Sequence, residues 1–151
     1  MKHLLATIAI SLALIGSPHS ETALWEKVGN WDVHGHTDTH SCSTTARYDT
    51  GRSLSIFFRP DQTALTISGL VVVPGTVYEA IIVASSGEAG VLKAVALSDS
   101  TVAFRHINLN TIAALALANS IFIQGLGTFE LTGSRRAMAS AWEWYEALNG
   151  G

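Results

Sequence analysis

Only one cysteine, Cys42, stands in 151 residues. No internal disulfide can form, so the chain must rest on an ordinary apolar core rather than on covalent staples. Positive charge is also scarce. Nine Lys and Arg face twelve Asp and Glu, a net charge of −3 with His neutral, and they form no basic stripe. That excludes nucleic acid or an anionic lipid surface as an electrostatic partner. Past residue 20 no apolar run approaches the roughly 20 residues that a bilayer span needs, so the chain is not expected to span a membrane. A phosphate-cradling glycine loop is missing too, since Gly125-Leu126-Gly127 is short and isolated.

What is present begins with a leader. Lys2 and His3 precede a mostly apolar stretch from Leu4 to Ile15, ended by Gly16, Pro18 and Ser20. A charged start, a short apolar segment and a helix-breaking exit form the layout of a secretory signal peptide. Residues 1–20 are therefore expected to be removed, with the cut between Ser17 and Ala23, leaving 21–151 as a periplasmic or secreted product. No cysteine follows the apolar segment, which speaks against a bacterial lipid anchor. One domain fits this length and two do not.

The remaining pattern is that of a β-protein. Trp31–His36 alternates apolar and polar residues, which places Trp31 and Val33 toward a core and Asp32, His34 and His36 away from it. Strands over Cys42–Tyr48 and Ser53–Arg59 are joined by Asp49-Thr50-Gly51-Arg52, a glycine-containing hairpin turn. Ala64–Ile67, Val71–Val73, Val77–Ala84, Val91–Leu97 and Val102–Arg105 follow as further strands, with 85–90 as a loop. A short helix starts at Asn110 as its cap, with Ile112, Leu115 and Leu117 buried. Ser120–Gln124 and Thr128–Leu131 are the last strands. Ser134 then caps a closing helix whose Met138, Trp142 and Tyr145 form one core-facing stripe. The expected architecture is mainly β: an antiparallel β-sandwich or barrel with one short internal helix and a C-terminal helix.

Several of these segments together resemble a family. Trp31-x-Val33 opens a strand, a cysteine-led strand follows, and Leu70-x-Val72-x-Pro74-Gly75-Thr76-x-Tyr78 leads into the longest β-run. Phe129-Glu-Leu-Thr-Gly-Ser134-Arg-Arg-Ala137 then starts the last helix. The chain is similar in these respects to the small exported β-domains of α-proteobacteria akin to the invasion-associated locus B proteins. The resemblance implies a periplasmic or secreted, β-rich protein without a settled catalytic activity or agreed site residues. Such proteins often carry further cysteines, commonly near the closing helix, and this chain has none there.

The sharpest chemical pattern is His34-x-His36-x-Asp38-x-His40-x-Cys42. In one extended strand all five side chains would share a face. Imidazole, carboxylate and thiolate are ligands that Zn²⁺ and Cu²⁺ accept, so His34, His36, Asp38 and His40 are candidate metal ligands. Same-face neighbours sit ~6.5 Å apart along a strand, so all of them converge only if the chain bends. The competing reading is a solvated turn with incidental histidines. A kinship with metallo-β-lactamase-type hydrolases fails on spacing, because an extra residue separates Asp38 from His40. His40 and Cys42 lack the third group that orients a catalytic pair. Cys42, if exposed, would link a covalent dimer. Trp25, ahead of the first strand, and Trp144, off the helix stripe, are candidate interface anchors.

The sequence thus leads to an exported, non-enzymatic β-domain that binds a protein or a small ligand and needs no cofactor. A periplasmic Zn- or Cu-binding protein is the alternative, and a metal-assisted hydrolase comes third.

Overall fold

The computed structural model describes residues 22–105 and 107–150; the leader lies outside them. Ten strands and two helices follow one another: β1 Thr22–Val28, β2 Trp31–His36, β3 Ser41–Arg47, β4 Ser53–Phe58, β5 Thr63–Ser68, β6 Val77–Ala84, β7 Gly87–Ala96, β8 Val102–Phe104, α1 Leu109–Leu117, β9 Ser120–Ile123, β10 Gly127–Glu130 and α2 Ser134–Leu148. Strict two-residue alternation fixes which face each strand buries. Trp31, Ala46, Leu54, Ile67 and Val102 stand opposite one another in a row across five strands, and all are buried. Val33, Thr44, Ile56, Leu65 and Phe104 form the next row, and Gly35, Cys42 and Phe58 the one after it. A one-residue slip of β4 would turn Leu54, Ile56 and Phe58 to solvent, which pins the register.

The strands form a single antiparallel sheet in the order β1-β2-β3-β4-β5-β8-β7-β6-β9-β10. It curls into a half-barrel, and the helices cover its concave side. α2 packs across β1 to β4, while α1 packs against α2, β6 and β7. The two ends of the curl are tied by side chains rather than by a ladder. Trp31 Nε1 donates to the Thr132 carbonyl at 2.8 Å, Tyr48 Oη to that of Glu130 at 2.7 Å, and an Arg52 nitrogen to that of Leu126 at 2.8 Å. The mainly β, antiparallel, barrel-like architecture with one internal and one C-terminal helix agrees with the sequence pattern.

Several boundaries differ. Thr22–Val28 is a strand, so Trp25 lies within the first strand and not before it; a bulge between Leu24 and Glu26 breaks its alternation. Val71–Val73 is not a strand. Leu70 and Val72 instead donate to the Ser100 and Asp99 carbonyls, which buries their side chains and leaves Val71 and Val73 exposed. The expected loop over 85–90 shrinks to Ser85 and Ser86, because Ala84 pairs with Gly87 and β7 runs from there. Asn108, not Asn110, caps α1, its side chain accepting from the Thr111 amide at 2.8 Å.

Ser134 is not a cap either. Gly133 precedes α2 in a left-handed conformation, φ 84°, which a side chain would resist. Ser134 is the first helical residue and is fully buried, and its hydroxyl donates to the Leu115 carbonyl at 3.3 Å. The buried stripe of α2 runs through Ser134, Ala137, Met138 and Ala141. Trp142, expected in the core, sits at its margin, 36% exposed and edge-on to Phe58.

Candidate functional site

β2 ends at His36 because the next four residues, Thr37 to His40, reverse the chain, with His40 at a φ of 51°. The five-residue pattern is therefore cut in two. His36 pairs across to Ser41, His34 to Ser43, and Gly35 to Cys42. Cys42 consequently faces the concave side and is fully buried, while His34 and His36 occupy the convex side. Asp38 and His40 project from the exposed turn. Among the described residues no group of three or more His, Cys, Asp or Glu side chains is close enough to hold a metal ion. Burial pushes the Cys42 thiol up to about 11, and the exposed thiol that a covalent dimer requires is not present at this position.

The same corner nevertheless forms a cleft. His36, Asp38, Thr39 and Ser41 supply one wall from the β2–β3 turn, and the opposite wall is Phe57, Arg59, Pro60 and Asp61. Its volume is about 410 Å³, within the range of small-ligand sites. β4 positions Phe57 because the alternation that buries Ile56 and Phe58 turns Phe57 outward. A turn closed by the Arg59 amide donating to the Gln62 carbonyl, at 3.1 Å, then brings Arg59 and Asp61 to the rim.

Each wall is internally braced. The His36 ring nitrogen Nε2 meets the Ser43 hydroxyl at 2.9 Å, and the Thr39 and Ser41 hydroxyls lie 2.6 Å apart. The Arg59 guanidinium lies over the Phe57 ring, 4.8 Å from its centroid, and the His36 ring stands 6.5 Å from the same ring. Stacking restricts the long Arg59 side chain and presents its planar donors toward the cleft.

Charge in the cleft is not internally neutralised. The ion pairs among the described residues are Lys27–Asp32 and Arg47–Asp32, at a distance from this corner along β2. Arg59, Asp38 and Asp61 have none. Burial holds the His36 imidazole below the usual histidine value; His34 pushes the same way, Asp38 opposes, and Arg59 lowers it further. His36 is thus a neutral hydrogen-bonding ring at neutral pH.

His36 and Asp38 are brought together here, as the sequence pattern suggests, but His34 and His40 do not line the cleft. His40 is instead tied to the far end of the chain, its carbonyl accepting from the Asn149 side chain at 2.9 Å. Sequence reasoning missed Phe57, Arg59 and Asp61. The available signal was an aromatic pair, Phe57-Phe58, running straight into the charged turn Arg59-Pro60-Asp61, so one of the two rings had to face outward.

Trp25 and Trp144 meet each other, with ring centroids 4.4 Å apart. The Trp25 ring also lies over Gly35, where an added Cβ would fall 1.8 Å from it. The pair clamps β1 against α2, with Trp144 remaining 41% exposed. No helix of the described residues is long and apolar enough to cross a membrane. Comparison with family models, with curated proteins and with solved structures gives no match for this chain.

Proposed function

We propose that the chain is an exported, non-enzymatic β-domain whose corner cleft binds a small ligand carrying both a positive and a negative group, of the amino-acid or short-peptide kind. One observation carries this reading. A single cleft holds one cation, Arg59, and two carboxylates, Asp38 and Asp61, none of them engaged in an ion pair among the described residues. Arg59 offers a flat fork for a carboxylate. The two aspartates offer acceptors for an ammonium group, and Thr39 and Ser41 add hydroxyls. Like-charged ligands meet repulsion from one side or the other, which gives selectivity by charge arrangement. The exported setting rests on the leader-like residues 1–20 and on the resemblance to invasion-associated locus B-type β-domains. Binding rather than catalysis is favoured because the one hydroxyl that meets the neutral His36 imidazole, that of Ser43, is buried and does not line the cleft.

The test is an amide-resonance titration of the mature protein with free amino acids, dipeptides, neutral sugars and Zn²⁺. Saturable shifts confined to residues 36–41 and 57–61 with the zwitterions, weakened at least tenfold in Arg59→Gln and in Asp38→Asn/Asp61→Asn, support the proposal. Shifts with sugars alone would replace the ligand class. Stoichiometric Zn²⁺ uptake lost in His34→Gln/His36→Gln would put the metal-binding alternative in its place.

A further inference from the structure

The start of α2 meets the end of α1, where the Ser134 hydroxyl donates to the Leu115 carbonyl. Each turns a stripe of the same spacing toward a shared groove. Leu109, Ile112, Ala113 and Ala116 recur at i, i+3, i+4 and i+7 on α1. Arg135, Met138, Ala139 and Trp142 do so on α2. Phe58 closes the bottom at the Trp142 end. The groove has a volume of about 300 Å³, and the eight-residue stripe on α1, seven steps long, makes it about 10 Å long at a rise of 1.5 Å per residue. Alanines form the middle, so the helices leave open a channel that larger residues would have filled.

One end differs from the rest. Among the described residues Arg135 is the only charged residue lining the groove; it lies in the first turn of α2 and has no ion pair among them. At the other end Leu109 is 68% exposed and Trp142 36%. An apolar channel with a single cation at one end matches an amphiphile with an anionic head and one short chain. The positive end of α2 reinforces the attraction for that head.

We propose that this groove is a binding site for a medium-chain fatty acid or similar single-chain anionic amphiphile, with the carboxylate on Arg135 and the chain along Ala113, Ala116 and Ala139 toward Trp142. The site is separate from the corner cleft and does not depend on its ligand. A second copy of this chain or an apolar peptide is the competing occupant, but neither calls for a lone cation at one end of an apolar groove.

The experiment is a calorimetric titration of the mature protein with decanoate, below its micelle concentration, while the Trp142 indole N–H resonance is followed. One saturable site per chain with a shifted Trp142 signal is expected. Decanol in place of decanoate, and Arg135→Gln in place of Arg135, should each weaken binding about tenfold, the loss of one charge-assisted hydrogen bond. Ala139→Phe, on the exposed side of α2, should fill the channel and abolish uptake while the melting temperature is unchanged; Ala113→Phe is the second such variant. Equal affinity for decanol and decanoate, or uptake unaffected by both Phe variants, overturns the proposal. So does concentration-dependent dimerisation that the Phe variants abolish, because the occupant is then a second copy.

Discussion

Gly35 shows how a single position can be set by a contact remote in sequence. It lies mid-strand, where a β-branched residue would normally be favoured, yet the Trp25 ring fills the space of its side chain. Gly35→Val should therefore lower stability by about 2 kcal/mol or more through overpacking. A urea melt would measure the loss, and Trp25→Ala in the same chain should recover part of it. Thr44 presents the opposite case. Its hydroxyl is buried between Val33 and Ile56 without a hydrogen-bond partner among the described residues. Thr44→Val keeps the shape and removes the unmet group, so it should raise stability by about 1 kcal/mol; a lower urea midpoint would show that the hydroxyl does find a partner.

At the scale of the element, capping separates two neighbouring asparagines that look alike in sequence. Asn108 accepts from both the Thr111 amide and the Thr111 hydroxyl, whereas Asn110 already lies within α1. Asn108→Ala should cost about 1 kcal/mol. Asn110→Ala should cost nothing measurable or stabilise slightly, since alanine is the better helix former. Thermal melts of the two variants side by side distinguish them. The start of α2 follows another logic: with no side-chain cap it relies on Gly133 to turn the chain and on Ser134 to anchor it against α1.

For the whole molecule, closure of the curl depends on three side chains reaching backbone carbonyls across the seam. Burial, with Glu130 beside it, pushes the Tyr48 phenol up to about 12, so it remains a donor throughout the ordinary pH range. Tyr48→Phe and Arg52→Gln should each cost about 1 kcal/mol. The double variant should cost more than their sum if the seam opens as a unit. Hydrogen exchange of β10 and β3 amides would rise with it.

Acid should act at the corner cleft. The folded His36 value lies below the ordinary 6.5, with burial the leading cause, so the unfolded chain binds more protons over that interval. Its contribution is fully present above about pH 6.5 and is lost as pH falls through the folded value. Denaturation midpoints measured between pH 7 and pH 5 should decline less steeply in His36→Gln.

The period-two alternation of β2 was legible residue by residue, because a half-buried strand writes its two faces into the chain. That was enough to anticipate an antiparallel, barrel-like β-fold with two helices. Strand ends were less legible. Val71–Val73 has strand composition, but its partners are the 99–100 backbone, which supports two bonds and no ladder. Residues 85–90 have loop composition, yet pairing with β6 draws 87–90 into β7.

The single shared face of the histidine pattern was broken for the same reason in sharper form. Spacing along the chain equals spacing in space only while the strand continues, and here it turns after His36. The turn sends Cys42 inward and sets His36 and Asp38 opposite Phe57, Arg59 and Asp61, residues more than fifteen positions away. Local patterning could identify which side chains face outward. Which of them share a cleft, and which two helix stripes border one groove, was decided by the curl of the sheet and the docking of α1 on α2, because those neighbours meet only through contacts distant along the chain.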